Sequence, residues 1–212
     1  MAVTKAIAEA TKEADIRIFF LIDKSGSMEG AIDKSKEALC KILQGFDPMK
    51  LHAACFDTMG TVLVPKSYSE AGIVHMLSSI KASGGTSHGS AVAAIKAKGI
   101  EIPDSADLIV FVVGDESGET GSQFAESFIR YGYKPSAFAH IVNVSGGYGR
   151  GSTVRDAAHA LNSPYTEVNI DQFSDVYQIQ RTLTAILSAA PLKTKESLVE
   201  KIMRTELLRK PY

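Results

Sequence analysis

Only two cysteines occur in 212 residues, too few for a disulfide-stapled scaffold. Cys40 falls on a predicted helix and Cys55 in a predicted strand, both among apolar neighbours. They read as two reduced, buried thiols, and no paired Cys or His spacing accompanies them to suggest zinc. Long apolar runs are lacking too. No segment approaches the roughly 18 apolar residues of a membrane span. Met1 to Ala14, with Lys5, Glu9, Lys12 and Glu13, has no apolar centre of signal-peptide length. The expectation is a cytoplasmic protein without a membrane partner. Nor does one sign of charge dominate: 23 basic against 24 acidic residues leave a net charge of -1, with no basic run. That gives no reason to expect direct contact with nucleic acid. A Walker A sequence is missing, and Asp23-Lys24-Ser25 lacks the second acid of an Asp-x-Asp phosphatase loop. Gly146 to Gly151, with Tyr148 and Arg150, follows a late strand and misses the spacing of a dinucleotide fingerprint. It reads as a rim loop.

What the chain does contain is alternation. Hydrophobic residues make up 45% and charged residues 22%, as in an ordinary globular protein. Strands are predicted at Ile16 to Ile22, Leu51 to Phe56, Thr61 to Val64, Leu108 to Val113, Ala137 to Val144 and Tyr165 to Ile170. Helices are predicted at Ala31 to Gln44, Ser69 to Ile80, Ala91 to Ala97, Phe124 to Tyr131, Val154 to Leu161 and Phe173 to Leu187. Several strands are apolar throughout, as in a sheet buried on both faces. Thr58-Met59-Gly60 is too short for a crossover, so Thr61 to Val64 is an antiparallel edge strand. The expected class is α/β: a Rossmann-like, open, mostly parallel six-stranded sheet with one antiparallel edge strand and helices on both faces. Residues 1–14 read as a lead-in, 15–190 as the domain and 191–212 as a helical tail. In that tail Leu198, Ile202 and, a turn later, Glu206 fall on one line, with Val199, Met203 and Leu207 beside it, a face expected to dock on the domain or on a partner.

Three segments of this plan carry chemistry. Asp23-Lys24-Ser25-Gly26-Ser27 follows the first strand, Gly84-Gly85-Thr86 precedes a helix, and Gly114-Asp115 ends the most apolar strand. Ligands of an open parallel sheet gather at the carboxyl ends of its strands, where neighbouring strands run their crossovers in opposite directions. If the strands ending at Asp23 and Asp115 are neighbours, one crevice receives both carboxylates and the hydroxyls of Ser25, Ser27 and Thr86. That all-oxygen set suits magnesium, with manganese second, far better than zinc or copper. If the hydroxyls touch the ion and the carboxylates act through water, the ion stays electrophilic and favours an external carboxylate from a partner protein. Each segment alone has a plainer reading: Ser27, Thr86 or Ser87 as a helix cap, Asp115 as a turn residue.

Together these residues resemble the metal-ion-dependent adhesion site of von Willebrand factor A domains, and the resemblance spans about Ile16 to Ser188. It implies that Ser25, Ser27 and Thr86 contact the metal, and that Asp23 and Asp115 act through water or in one state only. It implies a last helix, here Phe173 to Leu187, that shifts when an acidic ligand binds. The lack of cysteine pairs is more similar to the intracellular branch than to extracellular adhesion modules. The loop Glu116-Ser117-Gly118-Glu119 is more acidic than such a site needs, and Glu116 is expected either to tighten the cation or to repel an acidic partner.

The function so implied is metal-dependent protein–protein interaction without catalysis, through a partner's Asp or Glu. Two alternatives stand beside it. One is a metal-assisted hydrolase. For an esterase, Gly85-Thr86-Ser87-His88-Gly89 matches G-x-S-x-G but follows a helix end rather than a strand, and His140 and His159 read as packing residues. The other is a part in a Ro-type ribonucleoprotein assembly, although the helical-repeat ring usually joined to such domains has no counterpart here. Partner, pathway and oligomeric state are not legible.

Overall fold

The computed structural model describes residues 15–142 and 151–170. The lead-in, the rim loop at 143–150, the helix expected at Phe173 to Leu187 and the tail lie outside the described residues.

Six strands form one sheet: β1 (Ile16–Asp23), β2 (Leu51–Phe56), β3 (Gly60–Leu63), β4 (Asp107–Gly114), β5 (Pro135–Val142) and β6 (Tyr165–Asn169). Their order is β3-β2-β1-β4-β5-β6, with all pairs parallel except β2–β3. The chain therefore builds outward from β1 to β2 and β3, then returns to lay β4 on the other side of β1. The topological switch falls between β1 and β4. Their register pairs Ile22 with Val113, one residue before Asp23 and Gly114.

Among the described residues the five α-helices are α1 (Ala31–Gln44), α2 (Glu70–Ser78), α3 (His88–Ala97), α4 (Gly121–Tyr131) and α5 (Thr153–Ala160). Alternation along the strands divides the core in two. Ile18, Phe20 and Ile22 of β1 join Ile109, Phe111 and Val113 of β4 and Leu39, Ile42 and Leu43 of α1 on one face. Phe19 and Leu21 join Leu108, Val110 and Val112, with Val92, Phe124 and Val154 of α3, α4 and α5, on the other. All eight residues of β4 are buried, which is why it reads as a continuous apolar run.

Some helix starts differ from expectation, each for a stated cause. α2 begins one residue late because Ser69 is its cap, accepting from Gly72 N. α4 begins at Gly121, three residues before Phe124, since Thr120 and Gln123 form a capping box. α3 begins at His88 rather than Ala91. Its first turn is secured from elsewhere in the chain, by Glu119 accepting from Gly89 N at 2.6 Å. Both cysteines are buried and unbridged, and Cys40 Sγ contacts the Glu70 carbonyl oxygen at 3.7 Å.

Candidate metal centre

β1 delivers Asp23 to the sheet's carboxyl edge completely buried. Its Oδ1 accepts from Ser25 N at 2.7 Å, which bends the chain back over the strand end. A Cβ on Gly114 would lie 2.7 Å from that of Asp23, so only glycine lets the two strand ends lie so close. A short 3-10 turn, Gly26–Met28, follows, and α1 is opened by Gly30 at φ 76° rather than by a serine. Neither Ser25 nor Ser27 is spent on capping, and their hydroxyls lie 3.1 Å apart. Asp23 Oδ2 is buried and has no hydrogen-bond partner among the described residues. Burial pushes its carboxyl up to about 7, and the nearby charges of Asp115 and Asp57 push the same way against the Ser25 hydrogen bonds.

Backbone bonds tie the second loop to the first. Gly26 N donates to the Gly84 carbonyl at 3.1 Å, and Ser83 N to that of Lys24 at 2.8 Å. Thr86, half-buried, follows directly. The third loop closes on it. A Cβ on Gly118, which sits at φ 132°, would come 2.5 Å from Thr86 Cβ. Asp115, 1% exposed, accepts from Ser117 N at 2.9 Å through Oδ1, so its role as a turn residue holds as well. The structure thus brings together the three loops that carry Asp23, Ser25, Ser27, Thr86 and Asp115 at one rim.

Two residues that hold these loops have no motif to announce them. Asp57, after β2, is hydrogen-bonded to Lys24 Nζ and accepts from Met59 N at 2.8 Å and Ser83 Oγ at 3.3 Å. Its carbonyl takes Ser87 N at 2.7 Å. Those donors, Lys24 foremost, hold its carboxyl below the ordinary range. Glu119 accepts from Ser87 Oγ at 3.0 Å as well as from Gly89 N, and burial pushes its carboxyl up. Neither cap expected of the second loop is made by a side chain: Ser87 occupies the cap position, but its hydroxyl serves Glu119.

The acidic loop requires a correction. Glu116 is buried rather than set out toward solvent. It is 1% exposed and turned toward His140 and Tyr165. His140 is accordingly more than a packing residue, since its Nε2 lies 3.0 Å from the Gly114 carbonyl oxygen. His88 is wedged between the rings of Phe56 and Phe124, and burial drives its imidazole down to about 3.

Do these residues suit a hard divalent cation? A buried carboxylate oxygen without a donor, beside paired serine hydroxyls, is the arrangement such an ion completes. Zinc- or copper-type ligands are not among the five.

No protein-family model and no curated protein matches this chain by sequence. Solved structures do match by shape. A von Willebrand factor type A structure from Catenulispora acidiphila superimposes with a TM-score of 0.58 at 18% identity, covering 82% of this chain and 42% of that one. An aerotolerance-related membrane protein from Bacteroides fragilis gives 0.56 at 14%, covering 82% and 98%. Manganese-loaded TRAP protein from Plasmodium vivax gives 0.56 at 15%, covering 80% and 73%. At such identities the likeness shows the fold alone. This chain has the fold of a von Willebrand factor A domain. Among the described residues no helix is long and apolar enough to cross a membrane.

Proposed function

We propose that this chain is a protein-interaction module that holds one divalent cation, magnesium or manganese, and through it binds an acidic side chain of a partner protein. Ser25, Ser27 and Thr86 would contact the ion, with Asp23 and Asp115 behind them. The observation that carries this reading is Asp23 Oδ2, fully buried at a sheet edge, without a donor among the described residues. A cation held there supplies positive charge and an open position for an external carboxylate oxygen. The chain's own residues fix the frame. Gly114 admits the Asp23 carboxylate, Asp57 ties the first loop to the second, and Glu119 ties the second to the third. The manganese in the TRAP structure is consistent with an ion in this fold.

On this reading the protein performs no catalysis. Supporting it, Ser87 of the G-x-S-x-G match donates to Glu119, and its segment begins a helix without a preceding strand. The two free thiols suit a reducing compartment, and we favour the cytoplasm.

The test is calorimetric titration of magnesium and manganese into wild type, Ser25→Ala and Asp115→Ala. Immobilised protein is then exposed to lysate with magnesium or with EDTA, and retained proteins are identified by mass spectrometry. Loss of cation binding in both variants, and of a retained partner in EDTA and in both variants, supports the proposal. Turnover of an ester or phosphate substrate that Asp115→Ala abolishes would turn the reading to a hydrolase. RNA retained regardless of EDTA but released by salt would turn it to a ribonucleoprotein component.

A further inference from the structure

A second set of ligating groups lies one residue away. Glu116 follows Asp115 at φ 60°, an unusual backbone for a non-glycine residue. Its Oε2 is 3.5 Å from His140 Nδ1, and both side chains are completely buried. Its Oε1 accepts from Arg155 N at 3.2 Å and from the Tyr165 hydroxyl at 3.3 Å. The β5–β6 register sets His140 beside Glu167. Glu167 Oε2 lies 3.1 Å from the Tyr165 hydroxyl and 3.5 Å from Arg155. One ligand atom from each of Glu116, His140 and Glu167 falls within 4.8 Å of the others.

The orientation of the imidazole decides what this set can do. At 3.0 Å from the Gly114 carbonyl oxygen, His140 Nε2 must carry a hydrogen and donate it, since two lone pairs would repel. Nδ1 is then the basic nitrogen, and it lies 3.5 Å from the Glu116 carboxylate. A histidine that gives one N–H to a backbone carbonyl and turns its other nitrogen to a carboxylate is held as metal-ligating histidines are held. The Tyr165 hydroxyl lies 3.4 Å from Nδ1 and near both carboxylates, and its hydrogen serves one acceptor at a time.

We propose that Glu116, His140 and Glu167 form a second cation site, for a divalent ion of the borderline kind that takes imidazole nitrogen together with carboxylate oxygen, zinc foremost. Three protein ligands leave one tetrahedral position for water. Tyr165 stands beside it as a hydrogen-bonding neighbour, not a ligand. The site does not depend on the function proposed for the oxygen-only cluster. It shares only the Gly114–Glu116 stretch of backbone with it.

The experiment uses the full chain carrying Ser25→Ala, which weakens the oxygen-only cluster. Zinc is titrated by calorimetry, cobalt(II) by its absorption bands, and the histidine ring nitrogens are followed by NMR. One equivalent of zinc is expected, shifting Nδ1 of a single histidine. Adding Glu167→Gln, at a partly exposed side chain that folding tolerates, should weaken zinc at least about tenfold, whereas Tyr165→Phe should retain it. Equal zinc affinity with and without Glu167→Gln, or no zinc uptake, overturns the proposal. So does a His140 ring protonated on both nitrogens and indifferent to zinc, which would make the set a buried ion pair. Magnesium titrated into Glu167→Gln alone reads the other cluster separately, so failure of one site is not mistaken for failure of the other.

Discussion

Asp115 and Glu116 are consecutive carboxylates at the end of one strand, each 1% exposed, yet they serve different company. Asp115 follows Gly114, which packs on Asp23 at the switch between β1 and β4. Glu116 is turned to an imidazole and a phenol on β5 and β6. Both acids lie past the last residue of β4, and the left-handed backbone at Glu116, φ 60°, sets its side chain on a different course from that of Asp115, so a two-residue acidic step at a sheet edge can supply two unlike sites. The first offers hard oxygens alone, the second a nitrogen among oxygens. Ions that distinguish these donors should distinguish the sites.

The contrast can be broken from the core. Phe111 of β4 is fully buried in the core of one sheet face, stacked on Phe20 and tilted against Phe46. Phe111→Ala should cost about 3–5 kcal/mol in urea denaturation. Both sites should then weaken only as far as the protein unfolds. Independent loss of either at full folding would mean that β4 does not support them jointly.

His88, packed against Phe56 and Phe124 on the other face of the sheet, gives a pH-dependent test of the core there. Its folded imidazole stays neutral down to about 3, while the unfolded chain takes up the proton near the ordinary 6.5. Between those values the unfolded state binds more protons, so this contribution is complete above about 6.5 and fades as pH falls. Relative to His88→Gln, wild type should gain up to about 1.4 kcal/mol per pH unit on raising pH through this window. Asp23 acts in the opposite direction and is common to both proteins, so it cancels in the difference. A pH-independent difference would contradict a buried neutral His88.

Exchange of the two acids sharpens the contrast most directly. Asp115→Ala should lower magnesium affinity about a hundredfold and leave zinc uptake in place. Glu116→Gln should do the reverse. Calorimetry with each ion reads both, and a common loss would merge the clusters into one site. The smallest effect is expected at a brace: Asp57→Asn removes the charge that holds Lys24, and should weaken magnesium about tenfold or less without affecting zinc.

Much of the candidate site's placement was legible because its oxygen-bearing residues sit at strand ends that periodicity already marks. Asp23 and Asp115 follow apolar runs, and the all-apolar β4 announced burial on both faces. The braces were not legible. Asp57 and Glu119 are ordinary surface-type acids in sequence, and they become structural because chain folded from 26 to 33 positions away brings Ser83, Lys24, Gly89 and Ser87 to them. Glu116 was misjudged for the same reason. Its acidic loop suggests solvent, but the pairing of β5 with β6 sets His140 beside Glu167, and Glu116 turns in to meet them.

By itself the sequence determined the strands and helices of the described residues, the antiparallel edge and the three oxygen-bearing loops. These follow from residue type, period and short-range turn chemistry, which act over a few residues. Only the tertiary structure decided which strands are neighbours, that Asp23 is buried with an oxygen lacking a donor among the described residues, and that Glu116, His140 and Glu167 meet. Those depend on the register of parallel strands whose crossovers separate them by tens of residues, and no local pattern in the chain records that distance.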